Sequence, residues 1–159
     1  MADLMQLEDE AMELDTIKDM FFIFEIDDEE YGIEVANVKE IISIFSGGKK
    51  ITKVPQLPSF IEGIYSLRGV LIGVLDVRKR FGKEPKEYDD ETCIVVVMYN
   101  QYTLGLIVDR VKAAHTIPPD SVAPPPSAKL NSYNQFIRNI GKTADGVKLL
   151  LDLEKFLEQ

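Results

Sequence analysis

From Met20 onward the apolar residues fall in short runs broken by acidic, glycine and proline punctuation. Met20–Ile26 (MFFIFEI) is apolar and aromatic and closes on Asp27-Asp28-Glu29-Glu30. The next segment alternates, with Tyr31, Ile33 and Val35 on one face, the two-residue period of a half-buried strand. Val38, Ile41 and Ile42 have a spacing nearer a helical turn. Ser46-Gly47-Gly48 interrupts the chain, and Pro55 and Pro58 deny helix across VPQLP. Strands are expected at Ile61–Ser66 and Val70–Leu75, joined around Arg68-Gly69, and at Thr92–Tyr99 and Tyr102–Val108, joined at Asn100-Gln101. Pro118, Pro119 and Pro124–Pro126 mark a long loop, and a last hairpin turns at Ala144-Asp145-Gly146. Many short strands with few helical pieces predict a mainly β protein. Closed barrels are the expected arrangement, because closure removes the exposed strand edges that invite aggregation.

One unit occurs twice. FIEGIYSLRGVLIGVLDVRKRF (Phe60–Phe81) and FIRNIGKTADGVKLLLDLEKF (Phe136–Phe156) both run from an aromatic–Ile pair through a tight turn to an apolar run ending in Leu-Asp, then a basic-aromatic tail. The first Phe and the Asp are equally spaced in each copy (76 − 60 = 16 and 152 − 136 = 16). Identical spacing points to duplication of one supersecondary unit.

Composition narrows the class. The chain has 159 residues, enough to bury a substantial core, and its 45% hydrophobic and 28% charged residues are those of an ordinary globular domain. No apolar run approaches a membrane span, and MADLMQLEDE has acids where a secretory signal needs a basic start. One cysteine, Cys93, excludes an internal disulfide; within TCIVVVMY it reads as a buried small hydrophobe. Met1–Asp19 holds seven acids and one lysine, so it carries −6 of the net −9 and leaves −9 − (−6) = −3 for the rest. This segment reads equally as a short amphipathic helix with Leu4, Leu7, Ala11 and Leu14 on one stripe or as a solvated acidic leader. Neither reading implies nucleic acid, which calls for a basic surface. The basic clusters, Lys49-Lys50-Lys53 and Arg78-Lys79-Arg80-Lys83, read as solvated faces.

Catalytic chemistry finds little support. Asp76, Asp109 and Asp152 each follow an apolar run, in LDVRKRF, VDRV and LDLEKF. Three carboxylates suggest acid–base or metal chemistry. The simpler role is capping the orphan N–H groups of a following turn, which suits Asp. His115, in AAHTI, is the sole histidine and has no nucleophile motif to serve, and one His with one Cys cannot build a usual zinc site. No glycine-rich phosphate loop occurs. The residues point to a protein that binds, with no catalysis, no cofactor and no metal.

GIYSLRGVLIGVLDVRKRFG resembles the GVxNLRGxxxPxxDLRxxFG block of the CheW family, the coupling proteins of bacterial chemotaxis, which also occurs in the regulatory domain of the histidine kinase CheA. EEYGIEVANVKEII, YTLGLIVDRV and LLLDLEKFL resemble further blocks of that family in the same order, so the likeness spans roughly Phe21 to Leu157. Departures are Ser66 where Asn is usual, Gly73 where Pro is common, Asn139 for a frequent Gly, and a slight extension at Ser46–Lys50.

The resemblance implies two SH3-like five-stranded barrels packed side by side with short helical turns. The expected division is an acidic tail at 1–19, a first subdomain at 20–88 and a second at 89–159, with strand exchange between halves left open. It also implies a cytoplasmic scaffold at receptor arrays on the inner face of the membrane, bridging the chemoreceptor signalling tip and the CheA regulatory domain, with no membrane insertion. Receptor-contact positions carried over are Val38, Glu40, Gly63, Arg68 and Val108. A helical receptor tip would lie in a groove where the barrels meet, with the Arg68 fork turned outward. An adaptor of a related pathway such as surface motility, or a small barrel binding single-stranded nucleic acid, are the alternatives.

Overall fold

In a computed structural model the described residues are 17–45, 51–125 and 135–158. Most of the acidic tail (1–16) and the Ser46–Lys50 extension lie outside them. Twelve strands form two sheets among the described residues. They are β1 (Met20–Ile26), β2 (Glu29–Glu34), β3 (Val38–Ser43), β4 (Ile61–Leu67), β5 (Val70–Asp76), β6 (Cys93–Tyr99), β7 (Tyr102–Val108), β8 (Arg110–Val111), β9 (His115–Thr116), β10 (Val122–Ala123), β11 (Ile137–Thr143) and β12 (Gly146–Leu151). Two short helices, α1 (Val77–Arg80) and α2 (Leu153–Leu157), follow β5 and β12.

The larger sheet runs β10-β11-β12-β2-β1-β8, with β9 also paired to β1; three of its seven strands, β8, β9 and β10, are only two residues long. The smaller sheet runs β3-β6-β7-β5-β4. Each sheet draws strands from both sides of the expected division at residues 88 and 89. β1 and β2 lie with β11 and β12 through a parallel β2–β12 contact, whereas β6 and β7 lie between β3 and β5.

The register shows the duplication strand by strand. Ile61 pairs with Leu75 and Gly63 with Val74 across a bulge; Ile137 pairs with Leu151 and Asn139 with Leu150 across a bulge at the same place. The backbone N–H of Asp76 donates to Phe60 O and that of Asp152 to Phe136 O, both at 2.8 Å. β1–β2 likewise matches β6–β7: Phe22 faces Ile33 as Val95 faces Leu106. The parallel contacts agree too, with Leu149 beside Tyr31 and Gly73 beside Leu104.

The β3 segment differs from the helix-like spacing expected of Val38, Ile41 and Ile42. It is a strand opposite β6 with a register shift between Val38 and Glu40. The bulge inserts a residue into the two-residue period, and the interrupted alternation imitates a helical one.

Two apolar clusters hold the fold. One lies between the sheets and combines Phe24, Tyr31 and Ile33 with Val95, Leu106 and Val108, closed by a ring group of Phe81, Phe136 and Phe156. The second fills the smaller sheet with Ile44, Tyr65, Ile72, Val74, Ile94, Val96 and Ile107. At roughly 1.5–3 kcal/mol for each fully buried large apolar side chain, the shared cluster binds the sheets into one unit.

Candidate functional site

The β4–β5 hairpin turns on Arg68 (φ 49°) and Gly69 (φ 82°), with Leu67 and Val70 as its closing pair. Two successive left-handed residues twist a hairpin in the sense its strands need, which is why Gly sits there. Arg68 accepts the less favoured conformation and stands outward, its side chain 73% exposed. Its fork grips Glu40 of β3, with Nη1 donating to Oε2 at 2.6 Å and Nη2 to Oε1 at 3.1 Å. β3 and β4 are the two edge strands of the smaller sheet. The sheet therefore curls until an edge residue meets the tip of the opposite hairpin, 28 positions away in the chain. The hydrogen bond from Arg68 holds the Glu40 carboxyl below its ordinary pKa and raises that of the guanidinium.

The other expected contact residues are placed differently. Val38 is half-buried beside Val97 against the inter-sheet core. Val108 is 1% exposed within that core, so its side chain is not available to a partner. Gly63 is buried at the β4 bulge with φ 148°, and a Cβ there would lie 2.0 Å from the Thr52 carbonyl oxygen. Of the five, Glu40 and Arg68 meet at one exposed surface, whereas Gly63 and Val108 are buried.

Two of the three aspartates are helix caps. Asp76 Oδ1 accepts from the N–H groups of Arg78 at 2.9 Å and Lys79 at 3.3 Å, and Asp152 Oδ1 from that of Lys155 at 3.2 Å. Asp109 is not a cap of this kind. β8 follows it as extended chain, so no helical N–H groups await it. Its Oδ2 instead accepts from the Asp27 N–H at 2.9 Å and from Arg78 Nη1 at 2.8 Å.

The basic run after Asp76 is not a plain solvated face. Arg78 is 9% exposed; it also donates to Asp27 Oδ1 at 2.6 Å and, through Nε, to Glu84 O at 2.9 Å. The Arg78 hydrogen bond draws the Asp27 carboxyl below its usual pKa. Arg80 lies over the Phe60 and Phe136 rings. These basic residues follow an apolar strand directly, a position that could have signalled their partial burial.

A groove of about 410 Å3 opens where the smaller sheet meets α2. It is lined by apolar Phe60, Val74, Leu75 and Leu104, by Tyr99 and Tyr102, and, on the α2 side, by Glu154, Leu157 and Glu158. Gly73 also lines it. Tyr102 is 72% exposed, and Leu71, 69% exposed, precedes the lining residues of β5. None of the five carried-over positions lines this groove. No local sequence pattern marks this groove, because its lining comes from β4, β5, β6, β7 and α2, brought together only by the fold.

Among the described residues, no group of three His, Cys, Asp or Glu side chains is arranged to hold a metal ion, and no helix is long and apolar enough to cross a membrane. The family model described as the CheW-like domain matches residues 20–159. The chain belongs to the CheW family. It is 29% identical over 143 residues to the chemotaxis protein CheW of Klebsiella aerogenes, covering 90% of this chain and 84% of that one. It is 30% identical over 139 residues to the CheW of Helicobacter pylori, covering 87% and 81%. The crystal structure of the scaffolding protein TtCheW from Thermoanaerobacter tengcongensis superposes with a TM-score of 0.79 at 33% identity, covering 89% of this chain and 93% of that one. The mainly β, two-sheet fold is thus the CheW fold. The chain is a chemotaxis scaffold that couples receptors to the kinase CheA, in a family that is non-catalytic.

Proposed function

We propose that the coupling uses two separate surfaces: the Glu40–Arg68 pair for the receptor signalling tip, and the groove beside α2 for the CheA regulatory domain, at receptor arrays on the cytoplasmic face of the membrane. A coupler has to hold both partners at once, so their sites cannot coincide. The observation that carries this reading is the bidentate pair itself, exposed at a hairpin tip and sharing no residue with the groove. Arg68 uses two of its five N–H donors on Glu40. The remainder can meet carboxylates or the terminal carbonyls of a helix. An exposed ion pair contributes little to stability, so exchanging part of it for a partner costs little. The groove supplies what the pair lacks, an apolar floor with tyrosines of the kind that dominate protein contacts.

Arg68→Ala is expected to weaken receptor-tip binding by about 1–3 kcal/mol, the range for a charged hydrogen bond, with CheA binding and melting temperature little changed. Tyr102→Ala should do the reverse. The swapped variant Glu40→Arg/Arg68→Glu rebuilds the pair with inverted polarity. If it folds and binds receptor normally, the pair is a structural staple and the receptor lies elsewhere.

A further inference from the structure

α1 is a single turn, yet it reaches the larger sheet's half of the molecule in two directions. Arg78 leaves it toward Asp27 and Asp109, and Arg80 leaves it toward the end of α2. Arg80 Nε donates to Phe156 O at 3.0 Å; Nη2 donates to Lys155 O at 3.4 Å and to Glu158 O. All three carbonyls lie in the last turn or just past the end of α2, where backbone acceptors outnumber helical donors; Lys155 O also accepts from the Glu158 N–H at 3.3 Å. The guanidinium is also held between two aromatic faces, 4.4 Å from the Phe60 ring centroid and 4.6 Å from that of Phe136. Phe60 and Phe136 are the matching first residues of the two repeats, and both brace one cation. The opposite helix offers no reciprocal contact: Arg80 is the fourth residue after Asp76, and the fourth after Asp152 is Phe156, buried in the shared core.

We infer that Arg80 is a positioning residue that sets the α2 wall of the groove. Three of the groove's lining residues, Glu154, Leu157 and Glu158, belong to α2 or adjoin its end, and the carbonyls Arg80 holds lie at that same end. β5 runs from the Arg68 hairpin directly into α1, with Asp76 as strand end and helix cap. β5 therefore joins the Arg68 hairpin to the single turn that carries Arg80. The inference rests on the coupling reading for the identity of the groove's occupant.

The test is amide exchange of the full chain together with binding of the isolated CheA regulatory domain and of a receptor-tip fragment. In Arg80→Gln the Lys155 and Phe156 amides should exchange about ten- to hundredfold faster, the loss of charged hydrogen bonds at one helix end, while β6 and β7 amides keep their protection. CheA binding should fall at least about tenfold, as α2 residues leave the groove wall, with receptor binding unchanged. Arg80→Lys retains a cation between the rings but not the planar fork, so it should restore part of the α2 protection; it also reads the same amides if Arg80→Gln does not fold. Unchanged α2 exchange in a folded variant overturns the positioning role. Released α2 with CheA binding intact supports that role and overturns the groove's assignment to CheA, so the two ideas fail separately.

Discussion

Lys148 offers a quantitative test of how the two sheets differ. It corresponds by the repeat to Ile72 (148 − 76 = 72), a core residue of the smaller sheet. Its own side chain is 1% exposed and is paired with Glu30 and, at 3.4 Å, with Asp145. Lys148→Met removes the cation and strands Glu30. Breaking a buried ion pair costs about 3–5 kcal/mol. Here Glu30 retains partial solvent access and has Lys112 at 3.7 Å, which lowers the expected loss to about 2–3 kcal/mol. For a chain of this size that corresponds to roughly 4–12 °C in melting temperature. Lys148→Ile with Glu30→Thr copies the smaller sheet, where Ile72 and Thr103 take the matching places (103 − 73 = 30). Replacing a buried pair by apolar residues is often neutral or better, so the double variant should return to within about 1 kcal/mol of the wild type. Urea unfolding monitored by circular dichroism gives both midpoints, and an unchanged slope shows that only stability moved. Lys148→Met as stable as the wild type would mean that Glu30 turns to solvent without cost, and the reasoning from burial would fail.

Two further outcomes follow from the same geometry. Gly63→Ala should cost about 2–4 kcal/mol through its left-handed backbone and the clash with Thr52 O, so loss of receptor binding there should track unfolding; a fully stable Gly63→Ala would refute this. Asp76 is buried, and burial raises its carboxyl pKa despite the Lys79 and Arg78 N–H groups and the Tyr88 hydroxyl. The folded state thus holds the proton more tightly than the unfolded chain, so this contribution is fully present below the ordinary aspartate pKa of 3.8 and is lost as pH rises through the raised folded value. Asp76→Asn should abolish that segment of the stability–pH curve, and identical slopes for the two proteins would contradict it.

Much of this was visible in local sequence. The strands from β4 to β7, their two-residue turns, and the Asp76 and Asp152 caps all rest on near neighbours, where alternation and turn chemistry act directly. β3 departs from its helix-like spacing because a bulge between Val38 and Glu40 shifts its period. Asp109 resembled its two fellow aspartates in context, but the chain after it runs straight on as β8, and its partners are 82 and 31 positions away.

Patterning alone determined that this is a duplicated, mainly β chain, because apolar alternation and tight turns are local, and a copied unit keeps its spacing. It could not determine which hairpin lies beside which. β2 and β7 are equivalent, so β12 and β5 could each accept either as a parallel neighbour, and only packing of the shared core selects the exchanged arrangement. That choice also creates the two surfaces proposed for coupling. Curling of the smaller sheet brings Glu40 to Arg68, and the exchange places α2 against β5 and β7 to form the groove. Both depend on residues far apart in the chain whose closeness is set by burial, for which no short stretch of sequence carries a signal.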